Sequence, residues 1–405
     1  MPEEEKLAAV RALLPATGAG IYLNTGTAGP LPSETAAAMR ELAEWEVRTG
    51  RAHPGYEAET ASRADAARGT VAAVLHGDVD SVALTHGTTH GLNIALWSID
   101  WQPGDRLVTS DLEYPGVMAA CRSLTDRRGV EVAIAGVDRT GDDDRTAEAF
   151  ARTMEGRTRM VLCSHVAWST GAVLPVDRIV RAAHDRGALA VIDGAQAAGA
   201  IPLDVSDLGP DFYAIPAQKW LLGPEGMGAL YVAPQLGDRV RPAFAGFDGL
   251  ADPADPRSPL VGTARRFEAN AFYAPSVAGM ARSCGWLAMY VGLNWITERG
   301  PALARAAAAA LGATPGVEVV TPAARMGTLV TFRIRGWPSG LAVSELGARA
   351  FAITRHVGPL DAIRISLGFF NTAAEVERFC RAVAELAGHT PESLPARRLL
   401  VLGQE

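Results

Sequence analysis

The sequence predicts an α/β protein: a large, doubly wound, mainly parallel seven-stranded sheet domain joined to a smaller α+β domain. Its 405 residues exceed what one ordinary hydrophobic core organises, which points to two domains in intimate contact. Short β-rich runs alternate with amphipathic helical patterns through the middle of the chain, as strand–helix–strand units require. A Gly-, Pro- and Asp-rich break then separates this region from a different run of elements. The expected division is 20–260 for the large domain, with 1–19 and 261–405 forming the smaller one.

Seven runs read as strands of the large sheet: "SVALTH" (81–86), "DRLVTS" (105–110), "VEVAIAGV" (130–137), "RMVLCSHV" (159–166), "ALAVID" (188–193), "DFYAI" (211–215) and "GALYVAP" (228–234). Several are apolar on both faces, as in a sheet covered by helices on each side. Between them lie helical patterns at 90–99, 115–129, 143–154 and 175–187, with Gly129 and Gly187 where C-caps belong. The acidic "DDD" at 142–144 reads as a solvated helix start, where carboxylates meet the positive end of the dipole. The break is "FAGFDGLADPADPRSPLVGTA" (244–264), read as a loop or linker. A long helical stretch follows at 276–300, then strands "GVEVV", "GTLVTFRI" and "AIRISL" with helices "AVSELGARAF" and "AAEVERFCRAVAELAG". The amphipathic N-terminal helix is grouped with this smaller domain.

Composition excludes several function classes. A formal charge of −7 without any Lys/Arg cluster argues against a nucleic-acid surface. No apolar run approaches membrane-spanning length. The acidic start "MPEEEKLAAVRALL" is unlike a signal peptide, and a cytoplasmic location is expected. Cys121, Cys163, Cys284 and Cys380 are scattered with no metal-ligand spacing, so no metal site is expected.

Ligands of open α/β sheets bind at the carboxyl ends of strands, so the polar residues there carry the functional reading. Gly87, Thr88 and Thr89 in "HGTTHG" present N–H groups and hydroxyls at a helix N-terminus, a seat for a phosphate or simply a strand-to-helix turn. Tyr114 follows the second strand and His165 the fourth; Asp193 and Gln196 follow the fifth. An acid ending the apolar run "LAVID" is costly unless it meets a cation or a protonated ring. It could also cap a helix, bind a metal or act as a base. Lys219 lies 26 positions further on (219 − 193) at another strand end, where it could equally be a surface lysine or a salt-bridge partner of Asp193. Phosphate seat, aromatic, acid and lysine together suit one cofactor, pyridoxal 5′-phosphate: a lysine for its aldehyde, a carboxylate for its ring nitrogen, N–H donors for its phosphate. The spaced glycines of a dinucleotide loop are missing, which makes a dehydrogenase a weak alternative.

The ordered segments "THGTTHGLN", "SDLEYP", "SHVAWSTG", "VIDGAQAAG", "FYAIPAQKWLLGPEGMGALYV", "RRFEAN" and "IRISLGFFNT" resemble the class V aminotransferase family, which holds cysteine desulfurases, isopenicillin N epimerase-like enzymes and kynureninases on fold type I. The resemblance runs from about residue 20 to about 388. It implies that Lys219 forms an imine with the cofactor and then shuttles the substrate's α-proton. Asp193 would pair with the pyridinium nitrogen, and Gln196 would hydrogen-bond the ring's phenolic oxygen. Thr88, Thr89 and Gln218 would hold the phosphate, and Tyr114 would stack on the ring where many relatives use a histidine. Arg364 would clamp the substrate carboxylate, with Arg355, His165 and Asn24 on the substrate side. A homodimer with sites at the subunit interface is also implied.

The sequence departs from the family in three places. "ITRHVGPLDAIRIS" has no cysteine ahead of Arg364, so a desulfurase's persulfide-forming thiol is missing. Pro216 stands where relatives often have Ser, and Ala271 in "FEANAF" lacks a hydroxyl donated to the phosphate. The expected activity is therefore C–S β-lysis of an S-substituted cysteine, through an external aldimine and a quinonoid, in secondary or thiol metabolism. Epimerisation or transamination of an amino acid are the alternatives, and a catalytically retired scaffold that binds a partner is the non-enzymatic one. Trp168 and Trp220 are read chiefly as core.

Overall fold

The computed structural model describes residues 2–255, 257–269 and 272–395. Its large sheet contains all seven expected strands: β1 (Val82–Thr85), β2 (Arg106–Ser110), β3 (Glu131–Ala135), β4 (Thr158–Ser164), β5 (Leu189–Asp193), β6 (Phe212–Pro216) and β7 (Gly228–Val232). Their spatial order is β1-β7-β6-β5-β4-β2-β3. Only β7 runs against its neighbours, pairing antiparallel with β1 and β6, while the other recorded pairs are parallel. Strands β5, β6 and β7 are buried at every residue, as a sheet sandwiched between helices demands. The edge strand β3 leaves Ile134 47% exposed.

Local chemistry sets the helix limits. Gly129 closes helix Pro115–Arg128 in the left-handed conformation, at φ 65°. The acidic triplet starts helix Asp143–Thr153: the Asp142 carboxylate accepts the Arg145 N–H, and Asp143 and Asp144 fill the first turn. The stretch expected as one helix over 276–300 is two. Ala274–Gly285 runs into a π-type turn, Trp286–Val291, and Gly292 at φ 87° separates it from Leu293–Gly312, which continues through Pro301. Two helices that the sequence pattern did not single out, Ser33–Thr49 and Tyr56–Leu75, pack on Ala274–Gly285. Their apolar stripes are alanine-rich, and the inward face of the second is interrupted by Arg68. That guanidinium is buried because it meets Glu268 through two bonds, at 2.9 and 2.6 Å. Glu268 also accepts the Leu84 N–H at 2.8 Å, which ties the helix to β1.

The smaller sheet comprises β8 (Val317–Val319), β9 (Leu329–Ile334), β10 (Arg355–Val357) and β11 (Ala362–Ser366), antiparallel in the order β10-β11-β9-β8. Helices Ser339–Ala350 and Ala373–Ala387 cover it, the second begun by a reciprocal cap between Thr372 and Glu375. Two hydrophobic cores result. Val10 and Leu14 pack in the larger one and Ile21 and Leu23 in the smaller, so the N-terminal stretch serves both. Arg11 reaches Glu375 at 2.8 Å, and Ile21–Tyr22 pairs in parallel with Ala352–Ile353. Among the described residues no helix is long and apolar enough to cross a membrane.

Candidate active site

Asp193 is the last residue of β5 and is buried. Its side chain shares a sheet face with Ser164, its register partner on β4, and its Oδ1 accepts the Ala195 N–H at 2.8 Å. Burial raises its pKa and the neighbouring Lys219 lowers it. Lys219 lies three residues beyond β6, in a turn pinned by Ala217 N–H to Met227 O and Gly223 N–H to Ala217 O. Leu222 adopts a left-handed φ of 53° to close that turn. Burial pulls the Lys219 amine down to about 8; Asp193 opposes that shift, and Arg364 and Arg355 add to it.

The phosphate seat lies at the end of β1. Gly87 takes φ 138°, accessible to glycine, and leads into helix Thr88–Leu96. The Thr88 hydroxyl and the Gln218 side-chain oxygen are buried without partners among the described residues. Gly228 lets this loop approach β7: a Cβ there would lie 2.7 Å from Gly87 Cα. Thr89 adjoins Tyr114 across Gly116, whose added Cβ would be 3.4 Å from the Thr89 hydroxyl and 3.0 Å from the tyrosine ring. Tyr114 meets Trp168 edge-on at 5.6 Å. Pro216 is a buried strand residue paired with Gly228, offering neither hydroxyl nor N–H. Ala271 lies outside the described residues.

The opposite wall is basic. Arg364 on β11 is 1% exposed; its Nη1 donates to Trp168 O at 2.7 Å and its Nη2 to the Thr27 hydroxyl at 3.4 Å. Arg355 Nη1 donates to the same hydroxyl at 2.9 Å, and Thr27 in turn donates to Asn24 Oδ1 at 2.7 Å. Gln196 Nε2 donates to Gly26 O at 2.8 Å and its Oε1 accepts the Trp220 indole N–H at 2.9 Å. Gly29 is wedged beneath the lysine, since a Cβ there would stand 2.3 Å from Lys219 O. The segment 24–29 thus joins Asn24 to both arginines and to the lysine turn. Sequence reasoning named Asn24 but passed over Gly26 and Thr27; the two glycines and two hydroxyl residues of "NTGTAGP" were the available signal.

His165 is the correction. It lies one residue past β4, on the sheet face opposite Asp193 that Cys163, Ile192 and Tyr213 share. There its Nδ1 meets the Tyr213 hydroxyl at 2.8 Å, beside a hollow lined by Ile201 and Leu293, and burial drives its pKa down to about 4. That places it on the other side of the sheet from Asp193 and Ser164. Glu113, unmarked in the sequence, is buried next to Asp193's side of the sheet. Its carboxylate accepts the Ser110 hydroxyl at 2.5 Å and the Ser164 hydroxyl at 2.6 Å, while its carbonyl accepts the Trp168 indole N–H at 3.1 Å. Burial, with Asp193 nearby, raises its carboxyl to about 7. Trp168 therefore borders the cleft, whereas Trp220 is interior and holds Gln196.

Cys121, Cys163, Cys284 and Cys380 are all buried, and burial raises every one of their thiols, Cys380 to about 11. Among the described residues no cluster of His, Cys, Asp or Glu is placed to hold a metal ion.

This constellation fits pyridoxal 5′-phosphate. The two orphaned polar side chains, Thr88 and Gln218, sit where a phosphate needs partners; a reoriented Gln218 amide presents N–H. A lowered amine and a buried acid complete the set. A family model for aminotransferase class-V matches residues 21–379. A probable cysteine desulfurase from Mycolicibacterium paratuberculosis is 30% identical over 81% of the chain, which spans about half (50%) of that relative's length. The isopenicillin N epimerase of Streptomyces clavuligerus is 29% identical, covering 91% of this chain and 95% of the relative. In structure, the cystine C–S lyase C-DES, solved with its product cysteine persulfide, superposes with a TM-score of 0.86 at 24% identity, over 92% of this chain and 99% of the other. That likeness concerns the fold.

Proposed function

The chain belongs to the class V aminotransferase family of pyridoxal 5′-phosphate enzymes, and on that premise we propose that it cleaves the Cβ–S bond of an S-substituted cysteine. When bound, the cofactor supplies an aldehyde that takes up amines and a ring that withdraws electrons from the substrate's Cα. Thr88, Thr89, Gln218 and the Gly87 turn would hold its phosphate, Asp193 the proton on its ring nitrogen, and Tyr114 one ring face. Gln196 retains one amide N–H for the ring oxygen.

Lys219 is the group that moves the proton. An amine near 8 is partly neutral at physiological pH and accepts the Cα proton without a large driving-force penalty. Arg364 orients the substrate by its carboxylate, using the N–H groups not taken by Trp168 and Thr27. As the Cα proton goes to Lys219, the Cβ–S bond breaks and its electron pair leaves with sulfur. Water then releases the carbon skeleton as pyruvate and ammonia.

The observation that carries this reading is the state of the cysteines. All four are buried with raised thiol pKa values, so none is poised as the nucleophile that takes sulfur as an enzyme persulfide. Elimination needs no such thiol. The full-length match to an epimerase supports a second reading, in which Tyr114 returns the proton on the other face. Incubation with S-methyl-L-cysteine and L-cystine, with pyruvate, thiol and recovered enantiomers assayed together, separates them. Pyruvate in step with methanethiol from S-methylcysteine, or with persulfide sulfur from cystine, supports lysis; inversion without pyruvate replaces it with epimerisation.

We also infer a cytoplasmic homodimer. The exposed Phe244, Phe247 and Tyr273, at 79%, 67% and 60%, give a second copy apolar surface to cover.

A further inference from the structure

Glu113 is a buried acid that touches three parts of the site at once. Its Oε1 lies 2.5 Å from the Ser110 hydroxyl and accepts the Ser164 N–H at 3.0 Å, while its Oε2 lies 2.6 Å from the Ser164 hydroxyl. Its backbone carbonyl accepts the Trp168 indole N–H at 3.1 Å. Ser164 is the register partner of Asp193, and Tyr114 is the next residue in the chain. The Trp168 carbonyl accepts the Arg364 guanidinium, and the indole stands edge-on to the Tyr114 ring at 87°. Trp168 thus spans from the arginine to the tyrosine, and Glu113 fixes its far end.

The hydrogen bonds are those of a neutral acid. Oε1 meets two groups able to donate, which fills its acceptor capacity, and Oε2 meets one hydroxyl, which accepts as readily as it donates. A proton on Oε2 turns that 2.6 Å contact round without moving a heavy atom. Among the described residues no Lys, Arg or His nitrogen comes within 4.0 Å of this carboxyl. The titratable groups that interact with it are Asp193 on β5, Cys163 on β4 and Cys121 on helix Pro115–Arg128, and none of these is a cation. Two carboxylates in one buried patch do not both ionise cheaply, and the Lys219 amine supports the charge on Asp193. We propose that Glu113 is a positioning residue that works as the neutral acid, fixing the Tyr114–Trp168 wall against the cofactor ring and leaving the negative charge to Asp193. The inference rests on the cofactor site proposed above, and not on which bond is broken.

The test compares Glu113→Gln, which keeps the shape and both kinds of hydrogen bond, with Glu113→Ala, which keeps neither. Visible-region circular dichroism of the holoenzyme reports the surroundings of the cofactor ring. The glutamine variant keeps that signal and holds kcat/KM, with any accepted substrate, within about twofold of wild type. The alanine variant alters the signal and loses about tenfold or more in kcat/KM, the size of one buried hydrogen bond. Urea midpoints of the apoprotein report the proton itself. Burial raises the Glu113 carboxyl from 4.5 to about 7, so its contribution to stability is full below pH 4.5 and is lost as pH rises to about 7. Across that window the wild-type midpoint falls relative to that of Glu113→Gln, and groups common to both proteins cancel in the difference. If Glu113→Ala fails to fold, Ser164→Ala removes the Oε2 partner and takes its place with the same readouts. A glutamine variant as impaired as the alanine one, or a midpoint difference that does not change with pH, overturns the inference. So do an unchanged dichroism and kcat/KM in Glu113→Ala, which would leave Glu113 a purely structural role. A wild type with no visible cofactor band overturns it together with the reading of the site on which it rests.

Discussion

Among the charged groups acting on the Lys219 amine, Asp193 alone favours the ammonium form, while Arg364 and Arg355 both disfavour it. The carboxylate in turn is buried, and Lys219 is the charge that lowers its pKa. One acid thus holds both the lysine of the free protein and, by proposal, the ring nitrogen of the bound cofactor.

Asp193→Asn removes the one charge that supports the Lys219 ammonium, so the amine of the apoprotein titrates below about 8. The rate of its acylation as a function of pH measures this. In the loaded enzyme kcat/KM falls about a hundredfold or more, since breaking a buried charge pair costs ~3–5 kcal/mol. An unshifted titration would show that the two groups do not interact.

His165 makes a prediction of a different kind. Its folded pKa, about 4, lies below its ordinary 6.5, so protonation is disfavoured in the native state. Stability from this group is full above pH 6.5 and is lost as pH falls towards 4, by about 3 kcal/mol across the window. His165→Gln flattens that acid limb in urea unfolding and leaves the cofactor spectrum unchanged. A spectral change in this variant would return His165 to the cleft.

Gly26→Ala puts a methyl group 2.8 Å from Ser366 Oγ, 3.0 Å from Gln196 Oε1 and 3.1 Å from Arg364 Nη2. The arginine must shift, so KM rises about tenfold with a smaller change in kcat, and stability falls by ~1–3 kcal/mol. Steady-state kinetics with any accepted substrate checks it; an unaltered KM would mean that Gly26 has no part in carboxylate binding.

The large sheet was legible because its seven strands are short apolar runs bounded by turn residues, and burial on both faces leaves little ambiguity of period. Asp193 and Lys219 were legible for the opposite reason, as charges ending apolar strands. Helices 33–49 and 56–75 were not, because their packing relies on alanines and on Arg68, whose partner Glu268 is 200 positions away. The face of His165 was not legible, because a strand-end position does not say which side the side chain takes; its contact with Tyr213 decides it. Thr27 and Glu113 act through contacts with residues far along the chain, which no local pattern records.

The most direct test is borohydride reduction of the purified holoenzyme followed by peptide mass analysis. The account predicts one pyridoxyl group, on Lys219, and a visible-region absorbance that disappears both on reduction and in Lys219→Ala. A modified lysine other than Lys219, or a cofactor spectrum identical in Lys219→Ala, would contradict it.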